Sequence, residues 1–351
     1  MKFFKILVLS FIVLLTNSCS ENYTVLESVQ SVIVTVDNSF SLVNQDVTLS
    51  AYTSKGEDIT EKAAFYVNNT LINGNVFTSA VVGEFEITSS YLGATSEPIL
   101  ITFHDGTQVN FRKRVLIEDY TGTWCGYCTR VAYAIDQVKV ITNDVVTVAI
   151  HRSSSNPSSA NYDPYNYDSS QLEALFTTLT GYPKALLNRM TPWDSPEDTN
   201  INQATALTQG TNPKLGLSMN SSVTGNSVNL DVNVKFSKDF SNLKLVVYVL
   251  ENGLVYSQKN YTTHYGNINP LPNYVHNHTL RSCITNLFGD SISNSEVSSG
   301  NTYSRTFNFP VPSNVANAEN IEFVAFVVDE NGNAINARKV SKNENQSFEE
   351  L

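Results

Sequence analysis

The hydrophobic pattern changes its period twice along the chain, and each period admits a different kind of secondary structure. From about residue 24 to 104 apolar residues recur at every second position: Val32, Val34 and Val36, then Val47, Leu49 and Ala51, then Phe85 and Ile87, then Ile99, Ile101 and Phe103. Turn residues such as Asn73-Gly74-Asn75 and Gly93 separate these runs. Successive side chains of a strand point to opposite faces, so this period of two predicts short, half-buried strands in a small immunoglobulin-like β-sandwich.

Between about 108 and 210 the pattern alternates between strand and helix. Val115-Leu116-Ile117 reads as a strand, and residues 129–142 as a helix with Val131, Ala134, Ile135, Val138 and Ile141 on one face. Val145 to Ile150 is a continuous apolar run, as expected of a strand buried on both faces. Ser169 to Thr180 reads as a second helix, Ala185-Leu186-Leu187 as a third strand and Asn200 to Gln209 as a last helix. Alternation of this kind predicts an α/β layer domain. From about 212 the period of two returns, with Val228, Leu230, Val232, Val234 and Phe236 in perfect alternation. Leu243 to Leu250, Thr306 to Val311 and Ile321 to Val328 add strands, and Asn331-Gly332 marks a tight turn. The predicted fold class is multidomain α+β. It comprises a signal segment 1–18, an immunoglobulin-like sandwich with a short tether over 19–105 and an α/β domain over 106–210. A C-terminal antiparallel sandwich over 211–340 and a frayed polar tail over 341–351 complete it.

Lys2 and Lys5 followed by the apolar run Ile6 to Leu15 read as a secretory signal, too short for a comfortable membrane-spanning helix. Thr16-Asn17-Ser18-Cys19 then resembles a bacterial lipoprotein cleavage site, with Thr16 where Leu is commoner. The resemblance implies that Cys19 is acylated and tethers the exported chain, since two or three acyl chains suffice for stable anchoring. The chain has 351 residues with 22 Lys+Arg against 33 Asp+Glu, a net charge of −11. That balance offers no basic face for phosphates, so nucleic acid is excluded as a partner. Four cysteines are too few to staple a fold of this length.

Trp124-Cys125-Gly126-Tyr127-Cys128 lies between the first predicted strand of the α/β segment and its first helix. A helix N-terminus presents unpaired N–H groups and a partial positive charge, which stabilises a thiolate there. Cys125 is then the candidate nucleophile and Cys128 the resolving thiol, the two sulfurs sharing one helical turn and forming the Cys125–Cys128 disulfide when oxidised. Two other readings of the pair stand beside this one: half of a zinc site, for which His151 is the only histidine in the segment, and an inert structural disulfide. Trp124 before the first cysteine and the helix after the second point toward redox chemistry.

The segment Leu116 to Cys128 resembles the active-site strand and turn of thioredoxins. The resemblance implies that Asp119, six residues before Cys125, is a buried acid assisting proton transfer at the resolving thiol. It implies also that Pro183 in Gly181-Tyr182-Pro183 is a cis-proline facing the dithiol, with Tyr182 offering its backbone to an incoming peptide as an added strand. Tyr127 departs from the pattern, standing where thioredoxins carry proline, and it leaves the direction of electron flow open.

A longer resemblance, over about residues 108–340, is to the lipoproteins related to a 28-kilodalton outer membrane protein of Bacteroidetes-type bacteria. It rests on Glu118-Asp119-Tyr120-Thr121-Gly122-Thr123-Trp124-Cys125, on Gly181-Tyr182-Pro183 with Asn188-Arg189, and on Tyr274-Val275-His276-Asn277-His278-Thr279-Leu280-Arg281. Leu250-Glu251-Asn252-Gly253 and Asn336-Ala337 add to it. It implies an outer-membrane location with a lipid anchor and a thioredoxin-like core, and it leaves activity open because fold does not fix function.

His276 and His278 share a face if Tyr274 to Leu280 is one strand, with His264 and Cys283 near in sequence. Their spacing matches no standard metal site, so no metal and no cofactor is expected, and Cys283 reads as a buried, inert thiol. The tyrosine-rich segment Asn161 to Asp168 reads as a surface loop that can line a groove. The functional expectation is thiol–disulfide exchange on envelope proteins, whose thiols or disulfides are the substrates, with the membrane reached only through the lipid. The competing expectation is a non-enzymatic surface binding or adhesion lipoprotein in which the cysteine pair is structural.

Overall fold

The computed structural model describes residues 29–105, 109–152, 154–176 and 179–351; the signal segment 1–18 and Cys19 lie outside the described residues. The N-terminal alternation becomes two packed sheets. One holds Val32–Val36, Asp46–Thr53 and Val76–Thr78; the other runs in the order Phe40–Leu42, Ile99–His104, Gly83–Tyr91, Ala64–Val67, Thr70–Leu71. Alternate residues of the longer strands, among them Val47, Leu49, Ile87, Ile101 and Phe103, are fully buried in one shared core.

The middle and C-terminal segments are joined by a nine-stranded mixed sheet. Its order is Thr191–Pro192, Lys184–Leu187, Val115–Thr121, Val145–His151, Thr279–Cys283, Lys244–Glu251, Ile321–Val328 and Ala334–Ser341, with Asp290–Ser291 beside Lys244–Glu251. Val115–Thr121 and Val145–His151 are parallel, and Val145–His151 is also parallel to Thr279–Cys283; the pairs beyond are antiparallel. The continuous apolar runs follow from burial on both faces. Leu245, Val247 and Val249 enter the core beneath a three-stranded sheet of Leu215–Thr224, Ser227–Phe236 and Thr302–Pro310. Val246, Tyr248 and Leu250 enter a second core that also takes Leu116, Tyr120, Val146, Val148 and Ile150.

The helix Cys128–Ile141 covers the Val115 and Ile117 face, its stripe Val131, Ala134, Ile135, Val138 and Ile141 packing there with Ile33 of the N-terminal sandwich. It is the one long helix among three α-helices in the described residues. The helix expected over 169–180 is reduced to Ser170–Glu173, and the one over 200–209 to Ile201–Ala206. Leu172 and Phe176 drop into the sheet core while Leu175 faces solvent, so contact with the sheet overrides the helical stripe.

These observations correct the expected fold class. The chain is mostly strand, 44% against 9% helix, a β-rich sandwich architecture. No separate thioredoxin-like α/β domain closes over 106–210, because its strands are completed by strands from 244–341. The expected series of an immunoglobulin-like sandwich, an α/β domain and a C-terminal sandwich is replaced accordingly. The tail is docked rather than frayed. Leu351 N donates to the Asn110 carbonyl at 2.9 Å, and Arg114 Nη2 donates to Glu349 Oε1 at 2.8 Å. No helix among the described residues is long and apolar enough to cross a membrane.

A buried charge pair ties the loop after Val311 to this sheet. Arg281 Nε lies 3.2 Å from Glu251 Oε2, both side chains are buried, and Glu251 Oε1 accepts the Ala316 and Asn317 amides at 2.8 and 2.7 Å. Glu251→Ala strands the guanidinium and both amides, and is expected to cost about 3–5 kcal/mol in urea unfolding. A cost no larger than that of an exposed Glu→Ala change would refute this account.

Candidate functional site

The Val115–Thr121 strand ends at the turn that carries the cysteines. Within it Cys125 N donates to the Gly122 carbonyl at 3.0 Å and Trp124 Nε1 donates to the Arg152 carbonyl at 2.9 Å. Cys125 and Cys128 form a disulfide, and the helix starts at Cys128 with no side-chain cap and no acid in its first turn. Segment 258–261 lies over this turn. Gln258 Nε2 donates to the Cys125 carbonyl at 3.0 Å, Lys259 N to the Thr123 carbonyl at 2.8 Å and Tyr261 N to the Gly126 carbonyl at 2.7 Å. The Tyr261 ring sits so close on Gly126 that a Cβ there would be 2.3 Å from it, which is why this position needs glycine. The result is that Cys125 and Cys128 are only 4% and 2% exposed.

The Tyr182–Pro183 peptide bond is cis. The Tyr182 ring meets Trp124 edge-on at 5.5 Å, and its hydroxyl donates to Glu173 Oε2 at 2.8 Å; burial pushes its pKa up. Lys184 Nζ completes the group 2.8 Å from Glu173 Oε2.

Glu118 and Asp119 point to opposite faces of their strand. Glu118 accepts the Tyr248 hydroxyl at 3.1 Å and faces the Arg189 charge. Asp119 lines a cavity of about 380 Å³ shared with Cys128 and bounded by the helix, the strands Val115–Thr121 and Val145–His151, and the hairpin of Leu254–Gln258 and Leu271–His276. Burial, then the nearby Glu197 charge, raises the Asp119 pKa well above the usual carboxylate range. Asp119 Oδ1, Thr147 Oγ1 and His276 Nε2 on the cavity wall have no hydrogen-bond partner. Leaving such buried groups unpaired costs about 1–3 kcal/mol each.

His276 and His278 part company, because the strand ends at His276 and His278 turns away at φ 56°. His276 is buried against His151, with ring centroids 5.1 Å apart, and burial followed by His151 lowers its pKa to about 3. It is neutral at pH 7, and its Nε2 has no hydrogen-bond partner. His278 bonds Glu322 and, through Nε2, Lys139 Nζ at 3.1 Å. His264 pairs with Asp198 at 2.8 Å and stacks on Tyr133. The Cys283 thiol sits 3.2 Å from the Thr285 carbonyl, with its pKa pushed up to about 11 by burial. No three His, Cys, Asp or Glu side chains among the described residues converge to hold a metal ion.

Sequence reasoning missed the buried pair of His151 Nδ1 and Asp163 Oδ2, 2.9 Å apart. Burial raises the Asp163 pKa, but the bonds from His151 and from the Thr123 and Tyr165 amides outweigh it and hold the group below its usual value. Asp163 and Tyr165 belong to the tyrosine-rich segment, which supplies a cavity neighbour as well as surface. Gln258 and Tyr261 were also missed; no local signal distinguishes them.

The family model for outer membrane protein Omp28 matches residues 169–346, just over half of the chain. The chain belongs to the Omp28 family. Its location is accordingly the outer membrane. The match begins beyond Cys128, so membership says nothing of the cysteine pair. It does include Asn188, Glu251, Arg281 and Asn336, and each of these makes a structural bond. Asn188 Oδ1 accepts the Leu116 amide at 3.0 Å, and Asn336 Nδ2 donates to the Arg112 and Leu215 carbonyls at 3.1 and 3.0 Å.

Among solved structures, HBP35 of Porphyromonas gingivalis is similar at 18% identity, over 67% of this chain and 77% of that one, with a TM-score of 0.52. That likeness concerns the fold alone. A domain of the outer membrane lipoprotein Omp28 from Porphyromonas gingivalis matches at 19% identity over 38% of this chain and 92% of its own, with a TM-score of 0.25. No curated protein matches the chain.

Asp119 yields a pH test. The unfolded chain releases this proton in the ordinary carboxylate range while the folded chain still holds it, so stability is lost as pH rises above about 4 toward the raised folded value. Asp119→Asn removes that loss. Its unfolding free energy relative to the parent should climb as pH rises above about 4, by up to about 1.4 kcal/mol per pH unit. A difference independent of pH would mean that Asp119 is ionised in the folded chain.

Proposed function

We propose that this Omp28-family lipoprotein acts at the outer membrane by binding, without enzymatic turnover, and that its disulfide is a structural staple. The observation that carries this reading is the cover over the cysteines. A thiolate attacking a disulfide must reach a sulfur, and both cysteines are buried beneath the Gln258–Tyr261 segment, which is hydrogen-bonded to the turn at three points. The outer side of the hairpin adds support. Tyr127, Val255, Tyr261, Ile268 and Val275 are each about half exposed, an apolar and aromatic surface suited to contact with a partner.

A second reading has one observation in its favour. Asp119, a carboxyl held neutral by burial, shares its cavity with Cys128, as proton transfer to a resolving thiol requires. In that reading Cys125 attacks thiols or disulfides of envelope proteins, Cys128 resolves, and Trp124, Tyr182 and Pro183 flank the exchange.

The reduction potential of Cys125/Cys128 separates the two. A staple is expected below about −300 mV, with no mixed disulfide trapped on envelope proteins by Cys128→Ser. The Cys125→Ser/Cys128→Ser double variant should fold with a loss of about 2 kcal/mol, the loop-closure value for so short a ring. A potential between about −120 and −270 mV together with trapped partners would establish exchange instead.

A further inference from the structure

We propose that the edge strand Thr302–Pro310 pairs antiparallel with the same strand of a second copy of this chain, about a two-fold axis at Thr306. The proposal goes beyond the reading of the disulfide and concerns a different part of the molecule. Thr302–Pro310 ends the three-stranded sheet of the C-terminal core, with Ser227–Phe236 on its inner side and no strand on its outer side. The opposite edge of that sheet, Leu215–Thr224, is closed by the chain's own tail. There Ser221 N donates to the Glu344 carbonyl and Gln346 N to the Met219 carbonyl, each at 3.0 Å.

The ladder fixes which groups of the edge strand point outward. In an antiparallel pair, alternate residues exchange hydrogen bonds with the neighbour, and those between direct theirs away. Phe236 N donates to the Asn301 carbonyl and Val311 N to the Asn226 carbonyl, each at 3.0 Å, at the two ends of this ladder and in its register. Odd-numbered residues of the strand therefore bond inward, and the amides and carbonyls of Ser304, Thr306 and Asn308 point out. These have no backbone partner among the described residues. The devices that protect an edge from pairing are missing. The register runs from Thr302 to Pro310 without a bulge, the strand holds no lysine, and proline stands only at its last position. Its one charge, Arg305, is paired with Asp290 at 2.7 Å.

A second copy is the occupant because the strand is complementary to itself. The two-fold axis must fall on an outward-pointing residue, and Thr306 is the central one. Turned about it, Thr306 meets Thr306 and Ser304 meets Asn308, each pair exchanging two main-chain bonds. In the intervening pairs, where side chains lie closest, Tyr303 falls opposite Phe309 and Arg305 opposite Phe307. Arg305 already lies over its own Phe307 ring at 4.6 Å, so the guanidinium is in place to meet the second ring. No like charges are directly opposed. Thr302 faces Pro310, whose missing N–H ends the ladder. Such a contact is isologous and closes at two copies.

Cysteine variants of the full chain, solubilised in detergent and mildly oxidised, test the register in a Cys283→Ser background. Thr306→Cys should give far more covalent dimer on a non-reducing gel than the background chain. Its two Cα atoms would stand about 5.5 Å apart, within the roughly 4.4–6.8 Å that a disulfide spans. Ser304→Cys and Asn308→Cys should each stay at the background level alone, their own copies being about 13 Å out of register, and should link when mixed. Sedimentation in density-matched detergent should find the parent in a reversible monomer–dimer equilibrium. Thr306→Pro deletes the central outward N–H and leaves the inner ladder whole, so it should fold and sediment as a monomer. The proposal is overturned if the parent stays monomeric into the millimolar range. It is overturned equally if Thr306→Cys links no better than Ser304→Cys, or if a folded Thr306→Pro dimerises like the parent.

Discussion

The parallel contact between Val145–His151 and Thr279–Cys283 joins the two halves of the large sheet. It is anchored where the Ala149 amide donates to the His278 carbonyl at 2.8 Å and where Ala149 is in register with Thr279. One side of the junction is the parallel pair that carries the cysteine turn; the other is the antiparallel set that carries the C-terminal core. The hairpin of Leu254–Gln258 and Leu271–His276 immediately precedes Thr279 in the chain, so the same junction holds it over the turn and over the cavity.

Several features follow from that arrangement. The disulfide is covered on one side because residues 258–261, more than 130 positions away in sequence, bond to the backbone of 122–126. His276 is neutral because the hairpin presses it against His151 in a site poor in water. The cavity exists because the sheet face turns polar toward the carboxyl ends of its parallel strands. Val115, Ile117 and Val145 pack under the helix, whereas Asp119, Thr121, Thr147 and His151 do not. Asn188, Glu251, Arg281 and Asn336 bond strands and loops to one another, so these parts of the family pattern mark the framework rather than chemistry.

Much of the framework was legible from local pattern. Strict alternation at Val228 to Phe236 and at Val47 to Ala51 marks strands whatever they pack against, and the stripe Val131 to Ile141 marks the one long helix. The expectation failed where the periodicity was compatible with two structures. Leu172, Leu175, Phe176 and Leu179 fit a helical face, yet a four-residue helix and a following irregular segment bury two of them as well. The expected fold class failed for a different reason. Strand order is a property of pairing between distant segments, and neither Val145–His151 nor Thr279–Cys283 carries a local mark of its neighbour.

By itself the sequence determined the acidic balance, the alternating strands, the helix after Cys128 and the residues that could react. These depend on composition, on period and on neighbours a few positions apart. Only the tertiary structure decided what those residues can do. Whether a cysteine pair is open or covered, whether a carboxyl is neutral, and whether two histidines face one another depend on which distant segment excludes water from them. Here that segment is the 254–276 hairpin, placed by pairing across the sheet, and it leaves the Cys125–Cys128 disulfide buried beside a polar cavity.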